Sequence, residues 1–161
     1  MDRLLIAVLG NRNSGKSRTW NTLFGQTVRT GKEVRSLEVA KGAYVDVFLV
    51  SGSPEERELC VGDIVKKAKP RIVLCSVQYV ADAHKTFDYF IENDYSLFVH
   101  WLNPGHSDSS QCADVLGILN SLLYQQASVA IRDGKDNPES RVRELRELIH
   151  GWALSRGLVH P

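Results

Sequence analysis

The sequence predicts a three-layer α/β sandwich around a six-stranded, mainly parallel sheet, on three observations. First, Leu4 to Leu9 is an unbroken apolar run closed by Gly10, the pattern of a strand buried on both faces. Second, strand-like and helix-like segments alternate through most of the chain. Right-handed crossovers then make neighbouring strands parallel. Third, two strand-like segments are separated only by Lys41-Gly42, which makes them an antiparallel hairpin and sets one strand against the rest at a sheet edge.

Taken in order, the apolar run at 4–9 leads through a Gly-rich turn into a helix over 15–24, stopped by Gly25. Residues 26–33 are polar and read as a loop. Strands follow at 34–40 and 44–50, the two arms of the hairpin. Ser53-Pro54-Glu55-Glu56 predicts a helix start, with Ser53 as N-cap, Pro54 in the first turn and two acids at the positive helix end. A strand at 71–77 precedes a helix over 81–95 that carries Ala83, Phe87, Phe90 and Ile91 on one face. A strand at 96–102 precedes a helix over 110–124, with Cys112, Val115, Leu116, Leu119, Leu122 and Leu123 inward. A short strand at 128–131 comes next. Asn137-Pro138 then opens a last helix with the stripe Val142, Leu145, Leu148, Ile149 and Trp152.

A chain of 161 residues fits one domain spanning 1–161. Its 43% hydrophobic and 24% charged residues are ordinary for a globular protein. The formal net charge of +1 supplies no field that would draw nucleic acid or an anionic membrane. Cys60, Cys75 and Cys112 are odd in number and widely spaced, which argues against a disulfide framework or a zinc site. The opening apolar run is too short for a signal peptide or a membrane span, so a reducing cytoplasm is the expected compartment. The five histidines are scattered, without metal-ligand spacing.

The strongest signal is Gly10-Asn11-Arg12-Asn13-Ser14-Gly15-Lys16-Ser17, which matches the phosphate-loop pattern G-x-x-x-x-G-K-S/T. The glycines let successive backbone N–H groups turn inward around an anion. The following helix points its positive end at the same place. Lys16 is expected to reach the β- and γ-phosphates, and Ser17 to give its hydroxyl to magnesium. The motif lies where its chemistry needs it, between an apolar strand and a helix.

The longer stretch Gly10 to Gly25, with Asn13, Gly15, Lys16, Ser17, Asn21, Leu23 and Gly25 at the matching places, resembles the G-x-x-N-x-G-K-S-x-x-x-N-x-L-x-G signature of Era-like and TrmE-like GTPases. The predicted element order is likewise similar to the small-GTPase fold, hairpin included. The resemblance implies that Asn13 helps hold a monovalent cation, usually potassium, beside the phosphates. The alternative is that Asn13 only braces the loop. It implies that Thr27 or Thr30, in the first switch, offers a hydroxyl to magnesium. Asn21 and Leu23 are expected to cap and pack the first helix.

Three departures qualify the likeness. The family's D-x-x-G should end the second hairpin strand, but Leu49-Val50-Ser51-Gly52 keeps the Gly and lacks the Asp; Asp46 comes too early, on a solvated face. The guanine-selecting N-K-x-D is replaced by Asn103-Pro104-Gly105-His106, which keeps only the Asn. Asn103 and His106 stay candidates for base contact, and GTP and ATP both remain open. Arg12 and Arg18 add charge beside the phosphates, either as internal charge donors or as solvated side chains.

Hydrolysis needs a positioned water and charge stabilisation, not a covalent nucleophile. Glu55 and Glu56 fall where the second switch would orient that water; as plain first-turn acids they would serve only the helix dipole. The readings are a GTPase-like switch or slow NTPase, a small P-loop kinase, and a nucleotide-binding scaffold or sensor without catalysis. The first expects a protein partner that reads loops 26–33 and 51–57, and admits homodimerisation through the nucleotide face.

Overall fold

The computed structural model describes residues 2–104 and 113–161. The order is β1 (Arg3–Gly10), α1 (Lys16–Phe24), β2 (Arg35–Ala40), β3 (Ala43–Val50), α2 (Val61–Val65), β4 (Ile72–Gln78), α3 (Ala83–Glu92), β5 (Tyr95–Leu102), α4 (Ile118–Tyr124), β6 (Ser128–Arg132) and α5 (Glu139–Leu154). The six strands form one sheet in the order β2-β3-β4-β1-β5-β6. Only β2 and β3 pair antiparallel; β3-β4, β4-β1, β1-β5 and β5-β6 are parallel. The α/β class, the mixed sheet and the antiparallel edge strand agree with the sequence reading. Gly42 supplies the hairpin's positive φ of 74°.

Alternation along the central strands divides the core in two. Leu5, Ala7 and Leu9 of β1 face the side covered by α2, α3 and α4, where Val61, Val65, Phe87, Phe90, Ile118 and Leu122 are buried. Leu4, Ile6 and Val8 face the side covered by α1 and α5, where Trp20, Leu23, Val142, Leu145 and Ile149 are buried. With both faces of β1 covered, its apolar run needs no polar member. Indole Nε1–H of Trp20 donates to the Ser76 hydroxyl at 2.8 Å, so the large aromatic between α1 and β4 leaves no orphan donor. The α5 stripe lies as predicted; Pro138 is the N-cap, and just before it the Asn137 side chain accepts the Glu139 amide at 2.9 Å.

Two helix expectations are corrected. No helix starts at Ser53. Residues 54–58 form tight turns, with the Leu59 amide donating to Pro54 at 2.9 Å and Glu58 at a φ of 53° that ends any helical run. The helix follows only at α2. In the expected helix over 110–124, Cys112 lies outside the described residues, and helix runs only from Ile118. The segment before it turns because Gly117 takes a φ of 68° and Asp114 spends its carboxylate on the Asn120 amide at 2.9 Å. Ile118 and Leu122, one turn apart, make the inward contact of this short helix. Val115, Leu116 and Leu123, expected inward, are 62%, 37% and 54% exposed.

No helix among the described residues is long and apolar enough to cross a membrane.

Candidate functional site

The carboxyl ends of three parallel strands converge on one cavity of about 430 Å³. Arg12 to Arg18 arrive after β1, Ser51 to Ser53 and Glu56 after β3, and Gly134 and Lys135 after β6. This is the edge of an α/β sheet at which ligands bind. Four basic side chains, Arg12, Lys16, Arg18 and Lys135, face one carboxylate, Glu56. The start of α1 adds its unpaired amides, so the cavity is suited to an anion.

The 10–17 loop is held by close backbone contacts. Gly15 has a φ of 104°, and a Cβ there would stand 2.3 Å from the Gly134 carbonyl oxygen. A Cβ on Gly134 would stand 1.8 Å from the Ser14 carbonyl oxygen. Only two glycines let these loops meet main chain to main chain. Asn13, at a φ of 63°, is the residue type other than glycine that best tolerates that conformation. Its carbonyl accepts the Lys135 ammonium.

Lys16 is buried and curls over the loop, donating to the Asn11 carbonyl at 2.8 Å and the Gly10 carbonyl at 3.2 Å. An ammonium has three protons, which leaves one for a ligand. Burial lowers its pKa, while Glu56 and Glu55 pull it back up. Gly10 also accepts the Tyr79 amide at 2.9 Å, which ties the loop to the end of β4. Thr19 on α1 donates to the Gly15 carbonyl at 2.9 Å and accepts from buried Arg141 of α5 at 2.5 Å. Arg12 and Arg18 are exposed and line the cavity.

Ser17 borders this cavity and a second one of about 510 Å³, lined also by Asn21, Thr27, Thr30, Ser51, Gly52 and Arg57. Both candidate threonines are thus brought to the same neighbourhood. Thr27 is exposed. Thr30 accepts the Ser51 and Gly52 amides at 3.0 and 3.3 Å. Asn21 accepts the Val28 amide at 2.9 Å and so braces the intervening loop.

The two glutamates part company. Glu56 is exposed and lines the cavity. Glu55 turns to the sheet's other side, where one oxygen accepts the Thr86 hydroxyl at 2.5 Å and the other the Gln78 amide at 3.2 Å. Burial raises its pKa against those bonds. Its carboxylate is a clamp between the 54–58 turns, β4 and α3, which departs from both sequence expectations, a water-orienting acid and a plain first-turn acid.

Asn103, at a φ of 74°, donates to the Ser14 carbonyl at 3.0 Å and accepts the Gly134 amide at 2.6 Å. It stitches the 10–17 loop to the loop after β6. His106, the other candidate for base contact, lies outside the described residues.

Sequence reasoning does not place Gly134, Lys135 or Arg141, and places Ser53 only as a helix cap. A Gly-Lys pair directly after the last strand was the available signal for two of them, since every parallel strand ends at the same edge as β1.

The residues fit a polyphosphate, judged by the glycine-only cradle and the positive lining. For magnesium the donors are leaner: Ser17 offers a hydroxyl, β3 ends without a carboxylate, and no cluster of three or more His, Cys, Asp or Glu suited to a metal exists among the described residues.

No family model matches the chain, and no curated protein matches it in sequence. Among solved structures it is similar to a de novo designed protein determined by solution NMR, at a TM-score of 0.53 and 12% identity, over 91% of this chain and 90% of that chain. At that identity the likeness is one of fold alone.

Proposed function

We propose that this chain is a magnesium-dependent nucleoside triphosphate-binding protein of the P-loop class, a GTPase-like switch or slow triphosphatase acting on GTP or ATP. One observation carries the reading: the 10–17 loop closes backbone to backbone on Gly134 and presents the buried Lys16 ammonium beside the first turn of α1. Inward amides, a helix N-terminus and one ammonium are the donor set that polyphosphate requires. Magnesium, when bound, neutralises phosphate charge. The chain's share is the Ser17 hydroxyl on that ion and the Lys16 proton on the phosphates. The antiparallel β2-β3 pair after α1 supports a small-GTPase-like arrangement over a kinase, and the match of Asn13 to the cation-holding Asn of such GTPases supports a potassium site at its side-chain oxygen. In this reading, segments 26–33 and 51–57 respond to the γ-phosphate and are read by a protein partner or a second copy of the chain.

A second reading, a nucleotide-binding scaffold or sensor without turnover, draws on the carboxylate-free end of β3 and on the engagement of both Glu55 oxygens. Calorimetry with ATP, GTP and their diphosphates, with and without magnesium, tests the shared core. Phosphate release in potassium against sodium then separates the two readings. Lys16→Ala is expected to abolish triphosphate binding with the fold intact by circular dichroism. A loss of less than about threefold, ~0.6 kcal/mol, would remove Lys16 from the phosphate site.

A further inference from the structure

The sequence pattern makes Ser53 a helix cap, but no helix starts there and the fold gives it no such work. It is 1% exposed and lines the cavity at the end of β3, and its hydroxyl has no hydrogen-bond partner among the described residues. Its carbonyl is used, accepting the Glu56 and Arg57 amides at 3.1 and 3.3 Å, so the backbone is fixed and only the side chain is unspent. A buried hydroxyl left unpaired is costly and rare. Ser14, the other cavity-lining residue with an orphan hydroxyl, is explained differently. Its Oγ packs against Gly10, where a Cβ would come within 2.3 Å, and so belongs to the base of the loop.

The segment that carries Ser53 also carries Glu56, which lines the same cavity as the Lys16 ammonium. A ligand whose inner phosphates sit in the 10–17 loop would extend its terminal phosphoryl group toward this wall. Neither acid nearby suits that group: Glu55 is committed to Thr86 and Gln78, and Glu56 would repel it.

We propose that Ser53 is a recognition residue for the terminal phosphoryl group, donating its hydroxyl proton to a phosphoryl oxygen and so separating triphosphate from diphosphate. A serine side chain has staggered alternatives to turn between, so its hydroxyl can find the ligand without backbone movement. The inference rests on the reading of the site as a triphosphate cradle.

The test is calorimetric titration of the full chain and of Ser53→Ala and Ser53→Thr with magnesium and ATP, ADP, GTP and GDP, beside Lys16→Ala. Ser53→Ala should weaken the triphosphates about tenfold and the diphosphates less than about twofold. Ser53→Thr, which keeps the hydroxyl, should retain the discrimination. Because the hydroxyl has no partner among the described residues, Ser53→Ala should melt no lower than the parent. Equal weakening of both nucleotide classes, no weakening, or a drop in melting temperature beyond about 4 °C overturns the assignment of Ser53 alone. Failure of the parent chain to bind any of the four overturns the cradle as well, a result told apart by Lys16→Ala then matching the parent.

Discussion

Asn103 spends one amide on two loops, donating to Ser14 and accepting from Gly134, and it does so buried and with a left-handed backbone. Removing it leaves a buried carbonyl and a buried N–H without that partner, each worth about 1–3 kcal/mol. Asn103→Ala is therefore expected to lower unfolding free energy by about 2–6 kcal/mol in urea and to weaken triphosphate binding through the displaced loop. Unchanged stability would show that the two loops hold their places without it. At this scale the sequence was informative about placement wherever it follows from local pattern. That Gly15, Lys16 and Ser17 line one cavity was legible from spacing alone, because the strand, loop and helix that position them are contiguous. Glu55 was not. Its neighbour Glu56 looks equivalent in sequence, and the two were separated by Thr86 and Gln78, residues more than twenty positions away.

Among the elements, α5 is tied to the sheet edge through a polar group as well as its apolar stripe. His100 of β5 is fully buried and shares Glu144 of α5 with Arg132 of β6, at 2.5 and 2.7 Å. Burial lowers the His100 pKa, though Glu144 pulls against it. Burial pushes Glu144 up, but the bonds from Arg132 and His100 outweigh it and its pKa falls below the usual value. Both groups thus bind protons more weakly folded than unfolded. The stability they add is full above the ordinary imidazole value of 6.5 and is lost as pH falls through the folded His100 value, with Glu144 adding its loss below 4.5. Urea midpoints should decline on acidification from pH ~7. His100→Gln should flatten the upper part of that decline, and an unaltered pH profile in the variant would exclude His100 as the source. The α5 stripe was legible because it is long and periodic. The expected helix over 110–124 was not, since Asp114 and Gly117 impose local turns that an apolar count does not weigh.

For the whole molecule, the candidate site is a product of sheet order. Loops after β1, β3 and β6 are separated by tens of residues, and they meet because all three strands end at one edge. A ligand that joins them binds only the folded state. At a free concentration one hundred times Kd, nucleotide with magnesium should add about 2.7 kcal/mol. For a domain of this size that raises the melting temperature by about 5–10 °C. A scanning fluorimetry series with ATP, GTP and inorganic phosphate checks this, and no shift at saturating nucleotide would count against a ligand that bridges the three loops. By itself, the sequence determined the α/β class, the antiparallel edge pair and the phosphate-loop motif, because each is written in residues close together, in periodicity, turn chemistry and glycine spacing. Tertiary structure alone decided which acid faces the cavity, that Asn103 and Gly134 brace the loop, and that Ser53 is left with an unspent hydroxyl. Those outcomes depend on which strands lie side by side, and a hydrogen-bond partner brought from another strand leaves no trace in local pattern.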